Sequence, residues 1–191
     1  MTGENNLGSK IKQLRSNQNL SLEELAERSG LLAAQIEKIE KEAIIPSLSP
    51  LIKIARALGV RLGTFLDDTD HLGPVVVRNG KPAEGVRFTS EENGSREHLN
   101  FFSLAADKAG RNMEPFIVEI EPSQHSDYKL STHEGEEFIY VLEGQIEINY
   151  GKELYQLNAG DSIYLDSIVM HNVHAATTQK AKVLVVVYTP F

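Results

Sequence analysis

The chain has 191 residues, 41% of them apolar and 24% charged, with no cysteine and a formal net charge of −8. That length suits one large domain or two small ones, and without cysteine any metal must be held by His, Asp or Glu, with disulfides and thiol nucleophiles excluded. The start M-T-G-E-N-N-L-G-S-K is too polar for a secretory signal and the run Val183–Tyr188 is too short to span a bilayer, so a cytoplasmic location is expected.

The charge is unevenly spread. Residues 1–66 carry nine Lys/Arg against seven Asp/Glu, D-D-T-D at 67–70 is acidic, and residues 71–191 carry ten against seventeen. A mildly basic first third joined to an acidic remainder indicates two domains, and only the first suits a phosphate backbone. The expected division is a helical domain over 7–66, a linker over 67–74 whose D-D-T-D-H-L segment (67–72) would serve as the hinge, and a second domain over 75–191.

Apolar residues in the first part recur at helical spacing. Leu7, Ile11 and Leu14 form one stripe. Ser21 with Glu24 fits a capping box, which predicts a helix from Leu22 over Leu25 and Ala26, ended by Ser29-Gly30. A third helix is expected over about Ala33–Lys41, with Ile36 and Ile39 inward. Ser49-Pro50 reads as a cap followed by proline at the first helical position, starting a fourth helix through Leu51, Ile54, Ala55 and Leu58 that Gly59 closes. A short fifth helix is expected over about Leu62–Leu66.

From Val75 the period becomes two. Expected strands are V-V-V-R, F-F-S-L-A-A, P-F-I-V-E-I, E-F-I-Y-V-L, Q-I-E-I-N-Y, D-S-I-Y-L and K-V-L-V-V-V-Y, with turns at Asn79-Gly80, Glu143-Gly144, Tyr150-Gly151 and Ala159-Gly160. So many short strands indicate a β-sandwich or barrel. The predicted fold class is α plus all-β in two domains.

Helix, tight turn and helix over L-S-L-E-E-L-A-E-R-S-G-L-L-A-A-Q-I-E-K-I-E is the pattern of a helix-turn-helix. Residues 11–66 resemble the Cro/phage-repressor type of DNA-binding domain, through the S-L-x-x-L-A-x-x-S-G core and the P-S-L-x-x-L-x-x-I-A-x-A-L-G-V ending. The resemblance makes Ala33–Lys41 the recognition helix. Its outward positions are then Ala33, Ala34, Gln35, Glu37, Lys38 and Lys41. Gln35 suits an adenine edge, Lys38 a guanine or a phosphate, and the alanines allow close approach to a thymine methyl. Glu37 fits only a cytosine amino group, and the face is poor in positive charge. The competing reading is a five-helix module kept for dimer contacts.

In S-T-H-E-G-E-E-F-I-Y-V-L-E-G (131–144), His133 and Glu137 lie on one face of an extended strand, and Ser131 shares that face. The stretch resembles the first motif of the cupins, small double-stranded β-helix barrels, with Ser131 where a histidine is usual. Their second motif is matched by Gly160 and His171, with Asp166, Ile168 and Ala175 replacing its proline, glycine and asparagine. The whole chain therefore looks like the helix-turn-helix/cupin family of bacterial transcription regulators.

That resemblance implies operator DNA as a partner, a homodimer or higher oligomer with contacts from barrel edge strands, and a small effector in a pocket that includes Ser131. His133, Glu137 and His171 would form a two-histidine, one-carboxylate triad for a divalent metal, Fe(II) or Zn(II). The alternative is a pair of pocket histidines that hydrogen-bond an organic effector. The same domain order and triad also resemble the iron-dependent hydroxypropylphosphonate epoxidase, a mononuclear non-haem iron enzyme. Here, however, Asn19 stands where that enzyme type has a lysine, and His98, Leu99 and Phe101 stand where it has tyrosines. The regulator reading is therefore preferred, with no catalytic residue assigned. His174 is expected at the surface, Glu136 in solvent, and Phe101, Phe116, Phe138 and Tyr140 in the core. His125 is expected in a loop.

Overall fold

A computed structural model describes residues 7–42, 47–66, 73–78, 87–89, 98–122 and 130–189. The expected hinge at 67–72, the Asn79-Gly80 turn and His125 lie outside the described residues. Among those described, no helix is long and apolar enough to cross a membrane.

Five helices come first: α1 (Leu7–Asn17), α2 (Leu22–Ser29), α3 (Ala33–Glu42), α4 (Leu48–Ala57) and α5 (Gly63–Leu66). The capping box forms as the sequence predicts. Ser21 Oγ accepts from the Glu24 N–H at 3.1 Å, and Glu24 Oε2 accepts from the Ser21 N–H at 2.7 Å, so two otherwise orphaned donors at the start of α2 are satisfied. Ile11, Leu25, Ile36, Leu51 and Ile54 are fully buried at the centre of the bundle, one or two from each of the four long helices. Arg15 grips Glu40 with two nitrogens, at 2.7 and 2.9 Å, and donates to the Leu20 carbonyl, which ties α1 to α3.

The start of α4 differs from expectation. Ser47 is the N-cap, and it makes no side-chain cap bond. Proline is accommodated at residue 50 because the first turn of a helix has no intrahelical acceptor for its N–H groups anyway. Ser49 is thereby released from capping. Its Oγ reaches out of the bundle and donates to the Thr132 carbonyl at 2.9 Å.

Among the described residues nine strands follow, all paired antiparallel: β1 (Arg87–Thr89), β2 (His98–Ser103), β3 (Met113–Ile120), β4 (Glu136–Glu143), β5 (Gln145–Tyr150), β6 (Glu153–Asn158), β7 (Ser162–Asp166), β8 (His171–Ala175) and β9 (Ala181–Tyr188). One sheet runs β1-β2-β3-β9-β4-β7 and the other β6-β5-β8. Period-two burial is clean in β3 and β9, where Phe116, Val118, Ile120 and Val183, Val185, Val187 face inward. Val75–Arg78 forms no strand, although its composition suggests one. β1, β6 and β8 are not among the expected strands: R-F-T is too short to show a period, E-L-Y-Q-L-N is mostly exposed, and H-N-V-H-A buries polar side chains instead of an apolar alternation.

Polar contacts seat the helical domain on the barrel. Besides Ser49, Arg56 pairs with Glu134 at 2.5 Å and Arg61 donates to the Gly110 carbonyl at 2.6 Å. The first and second of these contacts fall on the segment leading into β4.

Candidate functional site

His133 precedes β4, Glu137 is the second residue of β4, and His171 opens β8. Expectation had His133 on a regular strand with Glu137, but the intervening Glu134-Gly135 bend interrupts it. Gly135 is needed there. It sits at φ 110°, and a Cβ would fall 2.1 Å from the Tyr188 carbonyl oxygen, so no other residue allows that approach. Backbone pairing fixes the rest. Ser131 and His171 exchange N–H···O bonds of 2.8 and 2.9 Å, and His133 N–H reaches the Ser167 carbonyl at 3.0 Å.

The three side chains converge in a buried place. His133 Nε2 lies 2.8 Å and His171 Nε2 3.6 Å from Glu137 Oε1, and all three donor atoms lie within 4.8 Å of one another. Each imidazole is held from behind, His133 Nδ1 by the Glu134 carbonyl at 3.0 Å and His171 Nδ1 by the Val169 carbonyl at 2.7 Å. A carbonyl requires N–H at Nδ1, so Nε2 is the nitrogen turned to Glu137: it donates to the carboxylate while the ring is protonated and offers its lone pair to a metal once the ring is neutral with Nδ1–H. That is the tautomer a metal needs, with backbone acceptors orienting both rings. Two imidazoles and a carboxylate aimed at one point fit a divalent ion such as Fe(II) or Zn(II).

Electrostatics favour a charged carboxylate. Burial pushes the Glu137 carboxyl up, but hydrogen bonds from His133 and His171, with their charge, overcome it and hold it at about 2. For His171, burial pulls down while the hydrogen bond and charge of Glu137 raise it above the ordinary imidazole value. Ser167, fully buried and not singled out from the sequence, donates its Oγ to Glu137 Oε1 at 3.2 Å and its N–H to the Gly135 carbonyl. No spacing rule marks it, because it acts through the fold of a loop.

The triad forms part of the lining of a cavity of about 290 Å³. Leu99, Phe101, Val183 and Val185 are among its apolar walls, Ser131 lines it beside the histidines, and Gln35, Ser49 and Lys53 approach from the helical domain. Thus Leu99 and Phe101 contribute hydrocarbon to the cavity where the epoxidase resemblance would have hydroxyls. Asn19 is exposed in the left-handed region at φ 54° and does not line it.

On α3, Ala34, Lys38 and Lys41 are exposed, and Ala33 and Glu37 are half-buried. Glu37 pairs with Lys41 one turn on, which holds its carboxyl below the usual range and offsets the Lys41 charge. Gln35 behaves differently. It is half-buried, its Oε1 accepts from the Leu32 N–H at 3.2 Å, and it lines the cavity on the barrel side.

Three expectations are corrected. His174 is buried, with Nε2 3.2 Å from Glu147 and Nδ1 3.2 Å from Asn172. Its strand β8 is covered on both faces, so alternation did not carry it to solvent. Tyr140 is 38% exposed on the outer face of β4 and Phe138 is half-buried beside it, while Phe101 and Phe116 meet edge to face in the core. Glu136 is half-buried and accepts a hydrogen bond from Tyr164.

Residues 11–65 match the helix-turn-helix family model, and residues 116–187 match the cupin domain model. The HTH-type transcriptional regulator PuuR of Escherichia coli (strain K12) is 26% identical over 171 residues, covering 86% of this chain and 85% of that protein. The (S)-2-hydroxypropylphosphonic acid epoxidase of Streptomyces wedmorensis is 28% identical over 152 residues, 73% of each chain. A crystal structure of an HTH_3 family transcriptional regulator from Vibrio cholerae aligns with a TM-score of 0.67 at 22% identity, over 97% of this chain and 96% of that one. The last is a likeness of fold.

Proposed function

We infer that this chain, a helix-turn-helix domain joined to a cupin domain, is a sequence-specific DNA-binding transcription regulator, with the barrel as its sensor. The observation that carries this reading is the seating of the DNA-reading unit over the cavity. α3 presents Ala34, Lys38 and Lys41 outward while its neighbour Gln35 borders the cavity. A small effector bound there contacts the domain that reads DNA, and differential binding to two seats of that domain is what allostery requires. PuuR, a relative that matches over most of both chains, is named as a transcriptional regulator.

In this reading, residues 7–66 bind operator DNA in the cytoplasm, residues 67–74 link the domains, and residues 75–191 sense. Ala33, Ala34, Gln35, Glu37, Lys38 and Lys41 form the recognition surface, with Gln35 shared with the cavity. His133, Glu137 and His171 would hold a divalent metal, which would supply a Lewis-acidic anchor for an effector, with Ser131 beside it. Because one recognition helix reads few base pairs, the operator is read by a dimer with half-sites roughly 34 Å apart. The outer face of the six-stranded sheet supports such a pairing better than its edges. Ile117, Leu184 and Tyr140 line up in one cross-strand row, and Pro115, Val186, Phe138 and Tyr164 in the next. An apolar sheet face of that kind is suited to a second copy.

The test is selection of the organism's fragmented genomic DNA on purified protein, with and without Fe(II) or Zn(II). Enrichment of a few palindromic fragments is the expected result. The second reading, an iron-dependent oxygenase, is favoured by the convergence of the triad and the epoxidase similarity. It requires Fe(II)-dependent oxygen consumption, and the hydrocarbon at Leu99 and Phe101 weighs against it.

A further inference from the structure

The groups around the cavity are unevenly satisfied. At the triad, Glu137 accepts from His133 and Ser167 and has His171 beside it. The walls are hydrocarbon. On the helical side, two donors have nothing to donate to. Lys53, half-buried on α4, makes no ion pair or hydrogen bond among the described residues. Gln35 gives its Oε1 to the Leu32 N–H, while its Nε2 has no acceptor among the described residues. Glu137, the one carboxylate among the described lining residues, is already engaged. A partly desolvated ammonium gains most from an anion brought to it, and a primary amide lining the same cavity offers a second donor.

We propose that the cavity binds a small monocarboxylate with an apolar body, its carboxylate held by the Lys53 ammonium and the Gln35 amide and its body packed against Leu99, Phe101 and the inward valines of β9. The cavity, at about 290 Å³, is near the lower end of the range for ligand pockets, which suits a compact ligand. An alkylamine would set like charge against Lys53. A divalent ion on the triad would add positive charge at that end and favour the same sign of ligand. Because Gln35 and Lys53 belong to α3 and α4, the bound carboxylate ties the DNA-reading domain to the barrel, and the ligand stabilises the seat seen here. This deepens the regulator reading and rests on it for the ligand's role, though not for its binding.

The experiment is calorimetric titration and thermal melting of the full chain with butanoate, hexanoate, octanoate and benzoate, against the matched amines and alcohols, in metal-free and Zn(II)-loaded protein. At least one carboxylate should bind and raise the melting temperature, with its amine and alcohol counterparts at least tenfold weaker. Lys53→Met should weaken that carboxylate at least tenfold, and Lys53→Arg should largely restore it, both with unchanged ligand-free melting. Amines binding as well as carboxylates, an unaffected Lys53→Met protein, or no binding by any of the four carboxylates overturns the proposal. Genomic selection separates the two readings. Operator enrichment without carboxylate binding removes the ligand class and leaves the regulator. Lys53-dependent carboxylate binding with no enrichment keeps the site and removes the regulator.

Discussion

Ser49, in the first turn of α4, donates its hydroxyl to the backbone carbonyl of Thr132, the residue immediately before His133. A side chain of the helix-turn-helix domain thus holds the segment that presents a candidate ligand. Replacing Ser49 with alanine removes one partly buried hydrogen bond, with a net contribution of about 1 kcal/mol. Ser49→Ala should lower stability by about that amount in denaturant unfolding and speed proteolysis between the domains. A variant that keeps wild-type stability and wild-type cleavage would show that the contact does not hold the domains together.

His171→Ala removes one of three converging donors while its neighbours on β8 stay paired. Metal content after loading with Zn(II) should fall well below one equivalent, read by elemental analysis. Secondary structure should be retained. Equal metal content in the variant would remove the triad as the binding site.

The metal-free protein should show a stability maximum in mildly acidic buffer. Glu137 is held at about 2, below its ordinary 4.5, so its contribution is complete above 4.5 and is lost as pH falls toward 2. His171 is raised above its ordinary 6.5, so its contribution is complete below 6.5 and is lost as pH climbs through the folded value. The two windows overlap between 4.5 and 6.5. Thermal melts of chelator-treated protein should peak toward the upper end of that window, because burial holds His174 below its ordinary 6.5 and its contribution is lost as pH falls through the folded value. Zn(II) should flatten the alkaline side, since metal binding displaces the proton. A metal-free protein that melts highest well above this window would contradict the arrangement.

Lys38 is exposed on α3 with no ion pair among the described residues, whereas Lys41 is paired with Glu37. Lys38→Ala should therefore weaken operator binding, and loss of a phosphate contact would reduce the slope of log affinity against log salt by about 1. Gln35→Ala, because Gln35 caps the helix and borders the cavity, should alter the response to effector more than the basal affinity. Filter binding at several salt concentrations reads the first effect, and a ligand titration of bound DNA the second.

Tyr140→Glu with Leu142→Asp puts charge on the outer face of β4, where both side chains are exposed. Light scattering should find a dimer in the wild type and a monomer in the variant, with the fold retained. A dimer that survives would return the interface to the edge strands.

Much of this was legible in the chain because local rules and tertiary demands agreed. The capping box at Ser21, the stripe through Ile11 and the alternation of β3 follow from spacing alone. So does the pairing of His133 with Glu137, although a glycine bend rather than a strand brings it about. What spacing could not convey depends on contacts between distant segments. Ser49 looks like a cap until the barrel offers it a better acceptor. His174 looks exposed until both faces of β8 are covered. Gln35 reads as a base reader, and only the seated helix adds that it also borders the cavity, while Lys53 reads as an ordinary helical lysine until a cavity is found beside it.

Ser131 pairs with His171 through its backbone, and its hydroxyl is only 3.4 Å from the nearest acceptor. The ladder at that point is therefore indifferent to which side chain it carries. Coordination number at such a centre would be an adjustable setting: Ser131→His would offer a fourth donor to an ion held by His133, Glu137 and His171 without rebuilding any strand.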